Sequence, residues 1–369
     1  KIDTNMFISY CHKVLTKTSN LLFFSLFLCT CIVSCSISEP TKPERIIESP
    51  TPIPPTPIPP TPIPPTPAPT ATTPTTTVRA PLWQGWTSSP TDSSRRLNTV
   101  SPTTVKADIV IEVDPAKQAQ SWRGVGAALT DSSLTLLKDN PAALNLLFNP
   151  DSADGARLNL LRLPTSSTDF SVTRWSSTWH PDNGFSPAFE AQLAAQFIAN
   201  IIVPLQPNLG VVATNWSAPP NMKTTGSMLG GNLAESATSS YGDFLSAQAQ
   251  WLNLSGVPLI AMTLGNEPRH ETSEYPTMLI SVEQQIELAN TIAPDLQQIG
   301  TELWATDHNW EHFQDYIDVK NGSSGSFEAA AWHCYSSTSG ISNMALVSLP
   351  GIITECTGTN DIWASTYAW

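Results

Sequence analysis

Two glutamates stand in short frames that suit nucleophilic or acid–base work. Asn266-Glu267-Pro268 closes the apolar run 258–265, and Thr354-Glu355-Cys356 closes a second run, 351–353. Each carboxylate therefore falls where a buried strand ends. In a parallel α/β barrel every strand C-terminus opens on one face. Two carboxyl groups facing each other across that face are the minimum equipment for splitting a glycosidic bond. Positions 267 and 355 are 88 residues apart, which matches three βα units of about 30 residues each. The bland readings are a helix N-terminal carboxylate for Glu267, beside Pro268, and a surface-loop carboxylate for Glu355.

The elements that must position these residues are visible as recurring apolar runs. Seven occur, over 122–129, 157–163, 210–214, 258–264, 302–306, 328–335 and 351–354. Helix-compatible segments lie between them, among them 187–202, 241–254 and 282–299. Strand–helix alternation implies a parallel sheet with helices outside it. Polar or aromatic residues follow the strands at the same end, as on the C-terminal rim of a barrel. The expected fold is thus α/β, a (β/α)8 TIM barrel with seven strands visible and the eighth missing. Residues 357–369 leave no room for an eighth strand and helix, so a fragment of a longer protein is expected. Val105–Val113 alternates in the strand manner and ends at Asp114-Pro115.

The chain has 369 residues, 40% of them hydrophobic and 13% charged, as for a protein with a sizeable core. The first 80 differ in kind from the rest. Lys13 and Lys17 precede an apolar run of 13 residues, 21–33, which is of signal-peptide length and short for a bilayer span. Ile32-Val33-Ser34-Cys35 resembles a bacterial lipobox, with Cys35 as the lipidated residue. An ordinary signal peptide with a chance cysteine is the competing reading. Thr-Pro-Ile-Pro-Pro then occurs three times over 51–65. Proline at this density favours polyproline II and reads as a semi-rigid stalk. The expected organisation is a signal peptide with lipobox over 1–35, a Pro/Thr-rich linker over 36–80, N-terminal strands over 81–121 and a truncated barrel over 122–369. From residue 81 onward there are 12 Lys+Arg against 27 Asp+Glu, a poor balance for a nucleic-acid binder. Only Cys334 and Cys356 lie in the folded part, too few for a disulfide framework or a metal cluster. Two free, partly buried thiols are expected, with a bridge between neighbouring strands as the alternative.

Six stretches in order resemble glycoside hydrolase family 30, whose members include glucosylceramidase and β-1,6-glucanases. They are Gly124–Asp131, Arg162–Phe170, Trp216, Asn266-Glu267-Pro268, His333-Cys334-Tyr335 and Thr354-Glu355-Cys356. The likeness runs from about residue 82 to the end. It implies a retaining β-glycosidase on a (β/α)8 barrel beside a β-sandwich, of which 81–121 would be part. Glu267 then matches the general acid/base and Glu355 the nucleophile. Asn266 matches the residue that bonds the sugar 2-hydroxyl, while Asp169 and Trp216 match sugar-binding positions. Tyr335 sits where a tyrosine contacts the nucleophile, and Arg162 where an arginine supports its carboxylate. Arg162 and Tyr335 should favour ionised Glu355, whose charge, with desolvation, should keep Glu267 protonated.

Blander roles compete. Asp169 could cap a helix, Trp216 could pack in the core, and Arg162 could neutralise any buried carboxylate. His333 reads as a satisfied rim histidine or a site residue, and Asp131 as a loop fastener or a site residue. Asp307 and His308 lack a third ligand at metal spacing, so no metal and no cofactor is expected. The expected partner is a β-linked oligosaccharide, polysaccharide or glycolipid, met by a monomer outside the cytoplasm and tethered through Cys35 or secreted. A sugar-capturing lipoprotein without catalysis and an inactive fragment remain as alternatives.

Overall fold

In a computed structural model of the protein, the described residues are 85–87, 89, 98–101, 106, 108–114 and 116–357. The expected signal peptide with Cys35, the Pro/Thr-rich stretch and the last residues of the chain lie outside them. Chain contacts divide the protein between Pro81 and Leu82, and the described residues all belong to the second unit.

Seven parallel strands form a nearly closed TIM barrel. They are β1 (Gly126–Ala128), β2 (Leu160–Pro164), β3 (Gly210–Thr214), β4 (Leu259–Thr263), β5 (Glu302–Asn309), β6 (Ala329–His333) and β7 (Gly351–Glu355), each paired with the next in chain order. The helices between them include α1 (Asp131–Leu137), α2 (Pro141–Phe148), α3 (Phe189–Phe197), α4 (Thr238–Leu254), α5 (Val282–Gln298) and α6 (Phe313–Gly322). Their starts are encoded locally. Asn140 caps α2 ahead of Pro141, and Ser281 with Gln284 forms a reciprocal cap on α5. Gly126 has no room for a side chain, since a Cβ there would lie 2.3 Å from the Leu160 carbonyl of β2.

Side chains alternate across a strand, and here the alternation builds two cores. Val211, Ala213, Met262, Leu303, Ala305, Ala330 and Trp332 face the helices. Val212, Ala261, Trp304, Ala329 and Ala331 face the other way and form a small cluster inside the barrel. The three alanines leave space for the Trp304 indole, which is fully buried. Below it, Glu302 accepts from Trp304 Nε1 and from Arg123, each at 2.7 Å. The same inward positions, continued toward the strand C-termini, belong to Arg162, Thr214, Thr263 and His333.

Among the described residues, β1 and β7 each have one strand neighbour. The Gln120 side chain clasps the free edge of β7. Its Nε2 donates to the Gly351 carbonyl at 2.8 Å, and its Oε1 accepts from the Gly351 amide at 2.9 Å. Outside the barrel, Gly85–Thr87 pairs antiparallel with Asn98–Val100. The strand expected over Val105–Val113 does not form at 108–114, and Ile109, Val110, Ile111 and Val113 are exposed. An alternating segment becomes a strand by packing and pairing with neighbours, and no described strand pairs with this one.

Candidate active site

Glu267 follows β4 in a left-handed backbone conformation, φ 46°. Its amide donates to the Asp307 carbonyl at 3.0 Å, and its carbonyl accepts from the His270 amide at 2.8 Å. The first bond ties the end of β4 to the end of β5. Asp307 itself is an extra residue in β5, because the pairing with β6 slips from Ala331 opposite Thr306 to Trp332 opposite His308. Thr306 and Asp307 both have φ near +60°, which is uncommon for residues other than glycine and occurs where surrounding structure holds it. The bulge turns the Asp307 carboxylate into the barrel. A second slip, between β6 and β7, places His333 opposite Glu355. Thr354 and Glu355, although consecutive, both reach the interior.

These side chains form one network. Arg162 bonds Glu355 through one guanidinium nitrogen and reaches Asp307 at 2.8 Å and Asn266 Oδ1 at 2.7 Å through the other. The Tyr335 hydroxyl donates to Glu355 Oε1 at 2.9 Å. Asp307 also accepts from Thr214 and Thr263 at 3.0 Å and from Thr354 at 2.6 Å. His333 lies between two carboxylates, with Nε2 3.0 Å from Asp307 and Nδ1 2.9 Å from Glu267. One oxygen of Glu267, one oxygen of Glu355 and a ring nitrogen of His333 lie within 4.8 Å of one another. Such a trio could ligate a divalent cation, but Arg162 already occupies Glu355 and the imidazole already bonds Glu267.

The electrostatics follow from these contacts. Burial alone would raise the pKa of Glu355, but Arg162, then His333 and the Tyr335 hydroxyl outweigh it and hold the group below the usual carboxylate range. Asp307 is fully buried, yet Arg162 and His333 keep it strongly ionised. Burial would lower His333, but its bonds to Asp307 and Glu267 push its pKa up to about 9. Glu267 differs from expectation. Burial does favour its neutral form, but the hydrogen bond and charge of His333, together with His308, bring its pKa below the ordinary value. The opposing charge of Glu355 is the weaker influence. The expectation for Glu267 counted burial and Glu355 but not the bond from His333, which the sequence offered only as a rim histidine or a site residue.

Residues 122–299 match the glycosyl hydrolase family 30 TIM-barrel domain. An endo-1,6-β-D-glucanase of Neurospora crassa is 28% identical over 247 residues, covering 62% of this chain and 51% of its own. An endo-1,6-β-D-glucanase of Aspergillus fumigatus is 31% identical over 250 residues, 58% of this chain and 50% of its own. The chain therefore spans about half the length of the curated relatives it matches. The crystal structure of SrfJ from Salmonella typhimurium shares the fold, with a TM-score of 0.63 and 21% identity over 73% of this chain and 65% of that one.

The barrel places the remaining expected residues unequally. Asn266 is buried beside Arg162. Trp216 is only 5% exposed, with the Arg162 guanidinium 4.7 Å above its ring, so part of the indole serves as a cation–π floor for the arginine. Asp169 lies on the rim, in a cavity of about 490 Å³ lined also by Arg174, Glu274 and Tyr275. Burial, and then the negative charges of Glu355 and Glu267, raise its pKa. Neither glutamate lines that cavity. Asp131 is a loop fastener, accepting from Ser171 Oγ at 3.0 Å and from Trp175 Nε1 at 3.2 Å. Lys223 binds the loops together. Its ammonium donates to Ser217 Oγ at 3.0 Å and to the carbonyls of Gly230 and Thr277 at 2.7 Å.

Two features correct the sequence reading. Cys334 and Cys356 are not free thiols but form a disulfide between the ends of β6 and β7, Cα–Cα 5.1 Å. Parallel neighbours bring residues just past the strand ends together, and the slip at His333 sets the register. Asp307, weighed only as a metal ligand, is instead the centre of the network. The signal that could have found it is the one used for the glutamates, an acidic residue at the end of an apolar run.

Proposed function

We propose that this chain carries the catalytic barrel of a retaining β-glycosidase acting on β-linked glucose polymers, with β-1,6-glucan as the first candidate. The observation that carries this is the pair Glu267 and Glu355, with carboxylate oxygens within 4.8 Å of each other and Glu355 held by Arg162 and Tyr335. Carboxyl groups that close suit double displacement, whose separation is about 5–5.5 Å, and leave no space for the water of an inverting enzyme, which needs about 6.5–9.5 Å. The named activity of the fungal relatives supports the choice of substrate.

In this reading ionised Glu355 attacks the anomeric carbon, and the glycosidic oxygen leaves with a proton from Glu267. The negative charge of Glu355 is consumed in the new ester bond. Glu267, now ionised, takes a proton from water, which attacks the same carbon and returns Glu355 as a carboxylate. Two carboxyl groups complete this cycle without a cofactor. Asn266 Oδ1 is held by Arg162, which leaves its amide group to donate to the sugar 2-hydroxyl. Asp169 and Trp216 would contact the sugar. The same proposal places the enzyme outside the cytoplasm, on a lipid carried by Cys35 and a proline-rich stalk. Cys35→Ala should release the protein from membranes or leave it unprocessed.

The deciding experiment follows the first-formed sugar by NMR, with β-1,6-, β-1,3- and β-1,4-glucans and glucosylceramide as substrates. A β-anomer from β-1,6-glucan is the expected product. An α-anomer would mean inversion, and cleavage of glucosylceramide alone would replace the substrate.

A further inference from the structure

Cys334 stands between His333, which bonds Glu267, and Tyr335, which bonds Glu355. Cys356 follows Glu355 directly. The bridge thus joins the two backbone segments that carry four of the network's side chains, His333 and Tyr335 on one and Thr354 and Glu355 on the other. Its position coincides with the slip in pairing, where Trp332 opposes Ile353 but His333 opposes Glu355. In a regular strand Thr354 and Glu355 would point to opposite faces. Here Thr354 reaches Asp307 at 2.6 Å and Glu355 reaches Arg162. The slip is what turns Glu355 inward.

Besides the bridge, the slip is spanned by Thr354 Oγ1, which donates to the Trp332 carbonyl at 3.3 Å, and by the Thr357 amide, which donates to the Tyr335 hydroxyl at 3.1 Å. β7 has β6 as its one strand neighbour among the described residues. Past the slip, the Cys334 amide donates to the Glu355 carbonyl at 3.2 Å. Cys356 is exposed, so a soluble thiol can reach the bridge.

We propose that the Cys334–Cys356 disulfide is a positioning element of the active site. It holds the bulged end of β7 so that Glu355 meets Arg162 and Tyr335, and its reduction disables catalysis while the barrel stays folded. The proposal rests on Glu355 being the nucleophile. A dithiol supplies the two electrons. Its thiolate attacks the Cys356 sulfur, the S–S bond breaks, and Cys334 leaves as a thiolate that takes a proton. The second thiol then displaces Cys356, giving two protein thiols and a cyclic disulfide. Oxidised glutathione reverses the change.

The test treats the folded protein with dithiothreitol, assays one portion as reduced, and alkylates a second portion with iodoacetamide only to count by mass the groups added at Cys334 and Cys356. On an aryl β-glucoside, kcat should fall by about a hundredfold with KM little changed, the scale on which a misplacement of about 1 Å acts. Trapping of a glycosyl-enzyme by a 2-fluoro glycoside should slow in step. The melt should stay cooperative, and oxidised glutathione should restore activity. Cys334→Ser and Cys356→Ser should reproduce the low kcat and ignore reductant. Hydrogen exchange gives a reading that needs no activity, with the Cys334 amide exchanging faster after reduction. Two alkylated cysteines with kcat and exchange unchanged would overturn the proposal. So would loss of activity only together with the cooperative melt, or alkylation at both cysteines before any reductant. An oxidised protein that cleaves no β-glycoside would overturn the enzymatic reading, while the exchange measurement still decides whether the bridge holds the bulge.

Discussion

At the scale of single residues, the arrangement rests on a count of protons. The two ring nitrogens of His333 face two carboxylates, Asp307 and Glu267. Asp307 is held ionised, so Nε2 carries a hydrogen toward it. An imidazolium then donates to Glu267 as well and lowers its pKa. A general acid must be protonated to act, so a lowered Glu267 moves the alkaline limb of the pH–rate profile downward. The expected optimum is acidic. His333→Gln removes the cation, and the alkaline limb of kcat/KM should then shift to higher pH in a profile on an activated β-glucoside. Glu267→Ala should cost about 10²–10⁴-fold on unactivated glucan. It should spare the first step on substrates with good leaving groups, and added azide should yield a β-glycosyl azide, seen by NMR. Arg162→Ala leaves Asp307 buried with its main counter-charge gone. A loss of about 3–5 kcal/mol in denaturant melts is expected, as for other broken buried pairs.

At the scale of elements, the sequence was legible where period and burial agree. The run at 210–214 coincides with β3, and the helix read at 282–299 is α5 with one residue fewer. Glu267 and Glu355 could be placed because each follows an apolar run, whereas Arg162 and Tyr335 were expected on the family resemblance. What could not be read was departure from period. Asp307 closes an apolar run as the glutamates do, but nothing in Thr306-Asp307-His308 announces the left-handed pair and slipped register that turn its carboxylate inward. The disulfide stayed open for the same reason, since its pairing depends on a second slip. The alternation at 105–113 misled because it reports only a capacity to pack. Loops, too, are held by contacts without a local signature. Lys223, whose pKa burial lowers to about 8, ties the loop after β3 to the loop that follows Glu267. Lys223→Met would strand two buried carbonyls. A loss of roughly 1–3 kcal/mol per unsatisfied group is the scale to expect in chemical denaturation.

At the scale of the whole molecule, charge selects among polymers. From residue 81 onward acidic residues outnumber basic ones, 27 to 12, and the rim adds Asp169 and Glu274 beside the two glutamates. A neutral glucan meets no long-range barrier there, whereas a polyanion does. Carboxymethylated glucan should therefore be cleaved more slowly than the neutral polymer at low salt. The gap should narrow toward ~0.15 M salt, where the Debye length is about 8 Å. Parallel reducing-sugar assays at both ionic strengths would check this.

The bond between Arg162 and Glu355 spans 193 positions of sequence. On a ribosome adding about 5–20 residues per second, the arginine waits roughly 10–40 s for its partner. Asp307 is made in between and already offers the guanidinium a carboxylate, itself bonded by the threonine hydroxyls of β3 and β4. A nascent barrel can thus seat its buried cation before β7 exists. The final glutamate then docks onto a charge that is already in place, and the chemistry becomes possible only when the last described strand has been made.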